Sequence, residues 1–186
     1  MQRPASLRDL MTDRADRIQL GTYMLLLAGL VVAIAIASDG AVSRAVNGVA
    51  GILWVASAWV LANALRRDDK FWTKLLGVTA ICLVLVIFIR PSDLLMALAG
   101  FGIAGAIVAA ASGSRGFVWA TLLPALWLPV HLGTAVVKAV YRAITDQEAT
   151  IRSDPPPTAA IVPFTMIVAA MFGAWLYQRI RTNRNG

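Results

Sequence analysis

The sequence predicts an all-α integral membrane protein, a helical bundle of about six transmembrane helices with short connections. Three observations predict it. Hydrophobic residues fill 59% of the 186 positions and charged residues only 15%, whereas average soluble domains carry about 25% charged residues. The mean hydropathy is +0.71, so too few polar groups exist to clothe a water-facing surface. The apolar residues also fall into continuous runs, each close to the ~20 residues that cross ~30 Å of hydrocarbon as a helix. Barrel strands would instead alternate between lumen and lipid faces over ~10 residues.

The chain opens on a polar stretch, residues 1–19, in which Arg3, Arg8, Arg14 and Arg17 alternate with Asp9, Asp13 and Asp16. Leu7, Leu10, Met11 and Ile18 share one face at helical spacing, and Ser6 with Asp9 resembles a capped helix start. The segment reads either as a short interfacial amphipathic helix or as a solvated tail. The first span follows, Leu20 to Ala37. Its end, Ala35-Ile36-Ala37-Ser38, imitates a signal-peptidase site, but the long, acid-bearing stretch before it argues for a retained helix.

The further spans are expected at 46–65, 73–89, 92–112, 117–138 and 159–178. The third and fourth are divided only by Arg90-Pro91-Ser92-Asp93. Proline lacks an amide donor and disfavours helix in the residue before it. Ser92 or Asp93 is placed to cap the next helix. One continuous helix would instead hold Arg90 and Asp93 near mid-membrane, at a cost of several kcal/mol, so a tight hairpin is expected. Residues 20–178 then form the transmembrane domain and 179–186 a tail. The connection after the fifth span extends that helix through Tyr141, Arg142 and Ile144. It turns polar at Asp146-Gln147-Glu148 and ends in Asp154-Pro155-Pro156-Pro157, a stiff extended segment. That segment serves either as a spacer or as a docking site for a partner.

The net charge of +7 would suit nucleic acid, but the cations lie in tails and connections and form no recognition module. The expected partner is the lipid bilayer. With six spans, Arg3, Arg8, Arg14, Arg17, Arg66, Arg67, Lys70, Lys74, Arg115, Arg179, Arg181 and Arg184 share one side. Only Arg44, Arg90, Lys138, Arg142 and Arg152 take the other. The positive-inside bias then puts both termini in the cytoplasm, with a bacterial cytoplasmic membrane as the expected location.

Small residues recur every four positions: Gly29, Ala33 and Ala37 in the first span, and Gly102, Ala106, Ala110 beside Gly105, Ala109, Gly113 in the fourth. The sixth has Ala169 with Gly173. Such rows let helix backbones approach closely in lipid, and the fourth span is the best candidate for a tight contact. The fifth span holds Pro124, Trp127, Pro129 and His131. Its two prolines free backbone carbonyls and kink the helix. A kinked helix with a histidine at depth is compatible with a transport pathway or a sensing role, to which Asn47 is a neutral polar candidate. A hydrogen-bonded structural histidine is the alternative. Among the six tryptophans, Trp72, Trp119 and Trp175 lie near span ends, as an interfacial belt requires. Trp54, Trp59 and Trp127 lie within spans, where they would pack on other helices or on a ligand.

No Asp or Glu falls within an expected span, which argues against ion-coupled transport. No phosphate loop, zinc motif or multi-acid cluster is present, and Cys82 is a lone thiol with no metal-ligand companions. No enzyme activity, metal or cofactor is therefore expected. Leu27-Ala28-Gly29 through Asn47-Gly48 and Leu75-Leu76-Gly77 through Ala99-Gly100 share a pattern of apolar helix, turn and glycine-bearing helix. This resembles small six-span bacterial membrane proteins of the acid-resistance HdeD type, which repeat such hairpins. The resemblance covers about half the chain, the proline-rich fifth span departs from it, and no function is taken from it. The function expected from the residues is a non-catalytic accessory subunit of a larger membrane assembly or a homo-oligomer, held by small-residue helix contacts. A small channel or facilitator lined by the fifth helix is the competing role.

Overall fold

The computed structural model describes residues 14–37, 41–89, 93–145 and 162–184. Six α-helices account for nearly all of them: α1 (Arg14–Ala37), α2 (Ala41–Leu65), α3 (Phe71–Phe88), α4 (Leu94–Ser112), α5 (Gly116–Ile144) and α6 (Val162–Arg184), with a 3-10 turn at Gly113–Arg115 before α5. The described residues contain no strand. The all-α bundle expected from the apolar runs is therefore the fold.

Among the described residues, four helices are long and apolar enough to cross a membrane: α2 over Gly48–Leu65, α3, α4, and α5 over Gly116–Arg142. The described apolar stretch of α1, Arg17–Val32, is shorter. In α6 the last turns carry Gln178, Arg179 and Arg181, which dilute its apolar length. These helices fit a multi-pass membrane protein. Helix α1 begins already at Arg14, so the polar residues 14–19 are its first turns. Of the amphipathic face expected at Leu7, Leu10, Met11 and Ile18, the first three lie outside the described residues, as does the proline segment at 154–157.

The helix ends follow from local chemistry. Helix α3 closes at Phe88, where Ile89 turns extended (φ −90°, ψ 119°). Asp93 then caps α4, its carboxylate accepting from the Met96 amide at 3.1 Å, as the Pro-Ser-Asp sequence predicts. Between α2 and α3 the chain reverses in five residues. Lys70 supplies the sharp bend with a left-handed backbone (φ 58°).

Helix α5 is the hub, touching every other helix of the bundle. Its first half is engulfed: Trp119, Ala120, Leu122, Leu123 and Ala125 are all fully buried. Its second half, from Leu132 to Ile144, projects its apolar side chains outward. At ~1.5 Å per residue its 29 residues run ~43 Å, longer than the hydrocarbon layer. The most intimate pairs are α1 with α2 and α4 with α6. Helix α3 leans on α5 through one seam, Phe71, Val78 and Cys82, which recur at helical spacing. It barely touches α4, its neighbour in sequence. The two N-terminal hairpins are thus unlike: α1 and α2 pack along their length while α3 and α4 splay apart, so the repeated sequence pattern is not a repeated packing.

Outward-facing apolar side chains are abundant, with Ile52, Leu76, Phe88, Leu95 and Val137 among the most exposed. In water such a continuous surface would drive association. Facing lipid, it carries no such penalty.

Candidate functional site

Three places in the bundle gather the residues that the sequence singles out. The first is the seam between α4 and α6. A Cβ at Gly105 would lie 2.8 Å from the Cα of Ala170, and one at Gly173 would lie 2.8 Å from the carbonyl carbon of Gly102. Real Cβ atoms do not come so close to backbone, so only glycine allows this approach. A Cβ on Gly102 would lie 3.7 Å from the Ala169 carbonyl oxygen, an ordinary contact. The fourth span is therefore the tight contact that its glycines predict, and its partner is the sixth helix of the same chain. Ala109 is fully buried on the adjoining face. There Gly116, at the start of α5, sits directly over the Ala109 carbonyl. Ala106 is half-buried. Gly29 packs under Ile167 of α6, where a Cβ would lie 2.8 Å from the Ile167 Cδ1. The side chains of Ala33 and Asn47 lie outside the described residues.

The second place is the proline-bearing stretch of α5, at Pro124 and Pro129. Proline at 129 has no amide hydrogen, so the carbonyl of Ala125, four residues earlier, loses its intrahelical donor. Trp54 of α2 replaces it. Its indole Nε1 donates to the Ala125 carbonyl and to that of Pro124, each at 3.1 Å. Trp54 is 1% exposed, so water cannot serve instead. The Trp54 ring lies against Trp127, centroids 6.3 Å apart and tilted by 54°. Trp127 in turn stacks on His131 at 5.1 Å and 13°. Of the expected pathway residues, His131 is thus linked to Trp54 through aromatic packing, and Pro124 to Trp54 through its carbonyl. Pro124 is buried, and Pro129 and His131 are half-buried.

The third place went unseen in the sequence. Asp68, in the α2–α3 turn, has a side chain only 3% exposed and forms an ion pair with Arg115 in the turn before α5. The indole of Trp119 donates to its other oxygen at 3.0 Å. Lys74 stands over the Trp119 ring at 5.8 Å, within cation–π range. Phe71 covers the same ring from the side, at 5.9 Å between centroids. Two turns distant in sequence are thereby fastened at one end of the bundle, called here the basic end. Trp119 is accordingly a buried hydrogen-bond donor rather than a member of an interfacial belt. Trp72 and Trp175 are exposed, as a belt requires. Trp59, expected to pack on another helix or on a ligand, is 63% exposed.

Four hydroxyls within the helices bond locally. Ser57, Thr121, Thr134 and Thr165 each donate to the carbonyl three residues earlier in their own helix, at 2.6 to 2.8 Å. That pattern is structural back-bonding. Among the described residues no group of three or more His, Cys, Asp or Glu is placed to hold a metal. No protein-family model matches this chain, and neither the curated proteins nor the solved structures contain one significantly similar to it, so the HdeD-type resemblance gains no support from comparison.

Proposed function

We propose that this chain is a non-catalytic, multi-pass membrane subunit that works by packing within a larger membrane assembly or with copies of itself. One observation carries the reading. Among the described residues, the Trp54 indole inside the bundle is directed to α5 carbonyls and the hydroxyls of Ser57, Thr121, Thr134 and Thr165 to carbonyls of their own helices. Chemistry on a substrate requires polar groups converging on a space where a reacting atom can sit. These groups converge on backbone. The glycines of α4 and α6 are engaged within the chain, so contact with partners falls to the exposed apolar faces of α2, α3 and the second half of α5.

The same reading places the basic end in the cytoplasm of a bacterial cell, with both termini there, on the strength of the charge bias. A carboxy-terminal fluorescent-protein fusion should then fluoresce, and an alkaline-phosphatase fusion at the same point should be inactive.

Purification in mild detergent followed by mass spectrometry tests the function. Defined membrane partners or a discrete homo-oligomer should be recovered, and His131→Ala and Asn47→Ala should leave that assembly intact. A monomer without partners that by itself carries solute flux in liposomes, and loses flux in His131→Ala, would establish the channel role instead.

A further inference from the structure

The fastening at the basic end leaves polar groups over. Beside the Asp68–Arg115 pair lies a pocket of about 290 Å³ whose walls are Arg67, Asp68, Asp69, Lys74, Ser112 and Arg115. These residues come from the α2–α3 turn, the first turn of α3, the end of α4 and the turn before α5. Three cations thus face two carboxylates. One carboxylate, Asp68, is already held by Arg115 and the Trp119 indole, and the other, Asp69, is exposed. Arg115 gives Asp68 only its Nη1, and its side chain stays 43% exposed, so further guanidinium donors remain.

Ser112 points to an occupant. Ser57, Asp68, Ser112 and Thr121 are the buried polar residues among those described. Ser57 and Thr121 donate to carbonyls of their own helices, and Asp68 is paired. The Ser112 hydroxyl, on a residue 8% exposed, makes no hydrogen bond among the described residues and faces the pocket. A buried hydroxyl without a partner is unfavourable, and something in the pocket must complete it. Helices α3 and α5 also begin here, after Lys70 and Arg115, and neither of these residues caps its helix through a side chain. Such helix starts carry partial positive charge and attract oxyanions. The depth agrees. The apolar span of α3 starts at Phe71, that of α4 ends at Ser112 and that of α5 starts at Gly116, so the pocket sits where these helices leave the hydrocarbon.

We infer that this pocket binds a phosphate group with free oxygens, either orthophosphate or the monoester head of a lipid. Arg67, Lys74 and Arg115 supply the charge, and Ser112 donates a hydrogen bond. At about 30 Å³ for each water molecule, the volume holds one phosphate with part of its hydration shell. Water alone would satisfy Ser112 but leave the excess positive charge of the walls uncompensated. The inference does not depend on the subunit role.

The test uses the full-length protein in neutral detergent and has two arms. Equilibrium dialysis against radiolabelled orthophosphate reads a free phosphate. Native mass spectrometry with added phosphatidic acid or phosphatidylcholine of identical chains reads a lipid head. Saturable binding in the first arm assigns orthophosphate, and a preference for phosphatidic acid without binding in the first arm assigns the lipid. Ser112→Ala removes a hydroxyl on which no internal bond depends. Its resistance to SDS unfolding should therefore stay native while affinity falls about tenfold, as for one hydrogen bond to a charged group. Arg67→Ala combined with Lys74→Ala should lower affinity by about a hundredfold while circular dichroism stays helical. Arg66→Ala, which removes a cation of the same turn outside the pocket walls, should change affinity less than about twofold. No binding in either arm, or native affinity in the folded Ser112→Ala protein, overturns the inference. So does a loss in Arg66→Ala as large as in the double variant, since attraction would then be diffuse surface charge.

Discussion

Replacing Trp54 by Phe keeps an aromatic ring beside Trp127 and removes the indole that donates to the Ala125 carbonyl from α2. A buried acceptor left without a donor costs about 1–3 kcal/mol in soluble proteins. Hydrogen bonds between membrane helices measured by mutant cycles are weaker, averaging ~0.6 and reaching ~1.7 kcal/mol, because the unfolded chain in lipid finds other partners. Here the carbonyl has no intrahelical donor to fall back on, which favours the upper part of that range. The indole is shared between two carbonyls, each 3.1 Å away, which pulls the value down. About 1 kcal/mol is the resulting figure for the bond. The smaller ring adds a packing loss, so the whole substitution should cost about 2–3 kcal/mol.

The two contributions separate in a double-mutant cycle with Pro129→Ala. Alanine restores an amide at 129 that can donate to the Ala125 carbonyl, so the indole becomes redundant while the packing loss persists. Unfolding in mixed micelles with rising SDS should show Trp54→Phe costing ~1 kcal/mol less in the Pro129→Ala background than in the native one. The same cycle with Pro124→Ala, whose ring deprives Ala120 rather than Ala125, should give a coupling near zero. A Trp54→Phe cost that is identical in native and Pro129→Ala backgrounds would refute the argument, leaving Trp54 as a packing residue only.

Gly105→Ala should destabilise the bundle by about 1–3 kcal/mol, because the α4 and α6 backbones must separate. Gly77→Ala, where a Cβ meets nothing within 4 Å, should stabilise it by up to ~1 kcal/mol; the same unfolding assay compares them. Asp68→Ala should cost about 1–3 kcal/mol by orphaning the Trp119 indole, and Asp68→Asn less, since an amide oxygen can still accept from it. The Arg115 share should be small and fade with salt, as its side chain is 43% exposed. Asp93→Ala removes the α4 cap and should cost about 1 kcal/mol, with fraying detectable as faster amide exchange at Met96.

The helices were readable because the membrane imposes a length and an apolar composition that local sequence cannot hide. The break at 90–93 was readable for the same reason, since proline and a capping acid state it chemically. The α4 glycines announced a close contact, yet not with which helix, because pairing α4 with α6 and not with α3 is decided by the whole bundle. Asp68 was hidden, since nothing in a turn sequence tells that a second turn 47 residues later will fold over it. Its partner Trp119 was misassigned because position near a span end fits both a belt and a buried donor. For Trp54 and Trp59 a signal did exist. Five residues at ~100° each place them ~140° apart around the helix, so only one could face inward.

The bond between Trp54 and the proline-bearing stretch of α5 also has a consequence for biogenesis. The ribosome delivers Trp54 to the membrane about seventy residues before the carbonyls it serves, so α2 waits with an unmatched indole and α5 arrives with an unmatched carbonyl. Each is a polar liability in lipid until they meet. Their meeting rewards the correct docking of α5 before α6 has been synthesised, which would make the proline that weakens α5 alone a checkpoint for assembling the bundle in order.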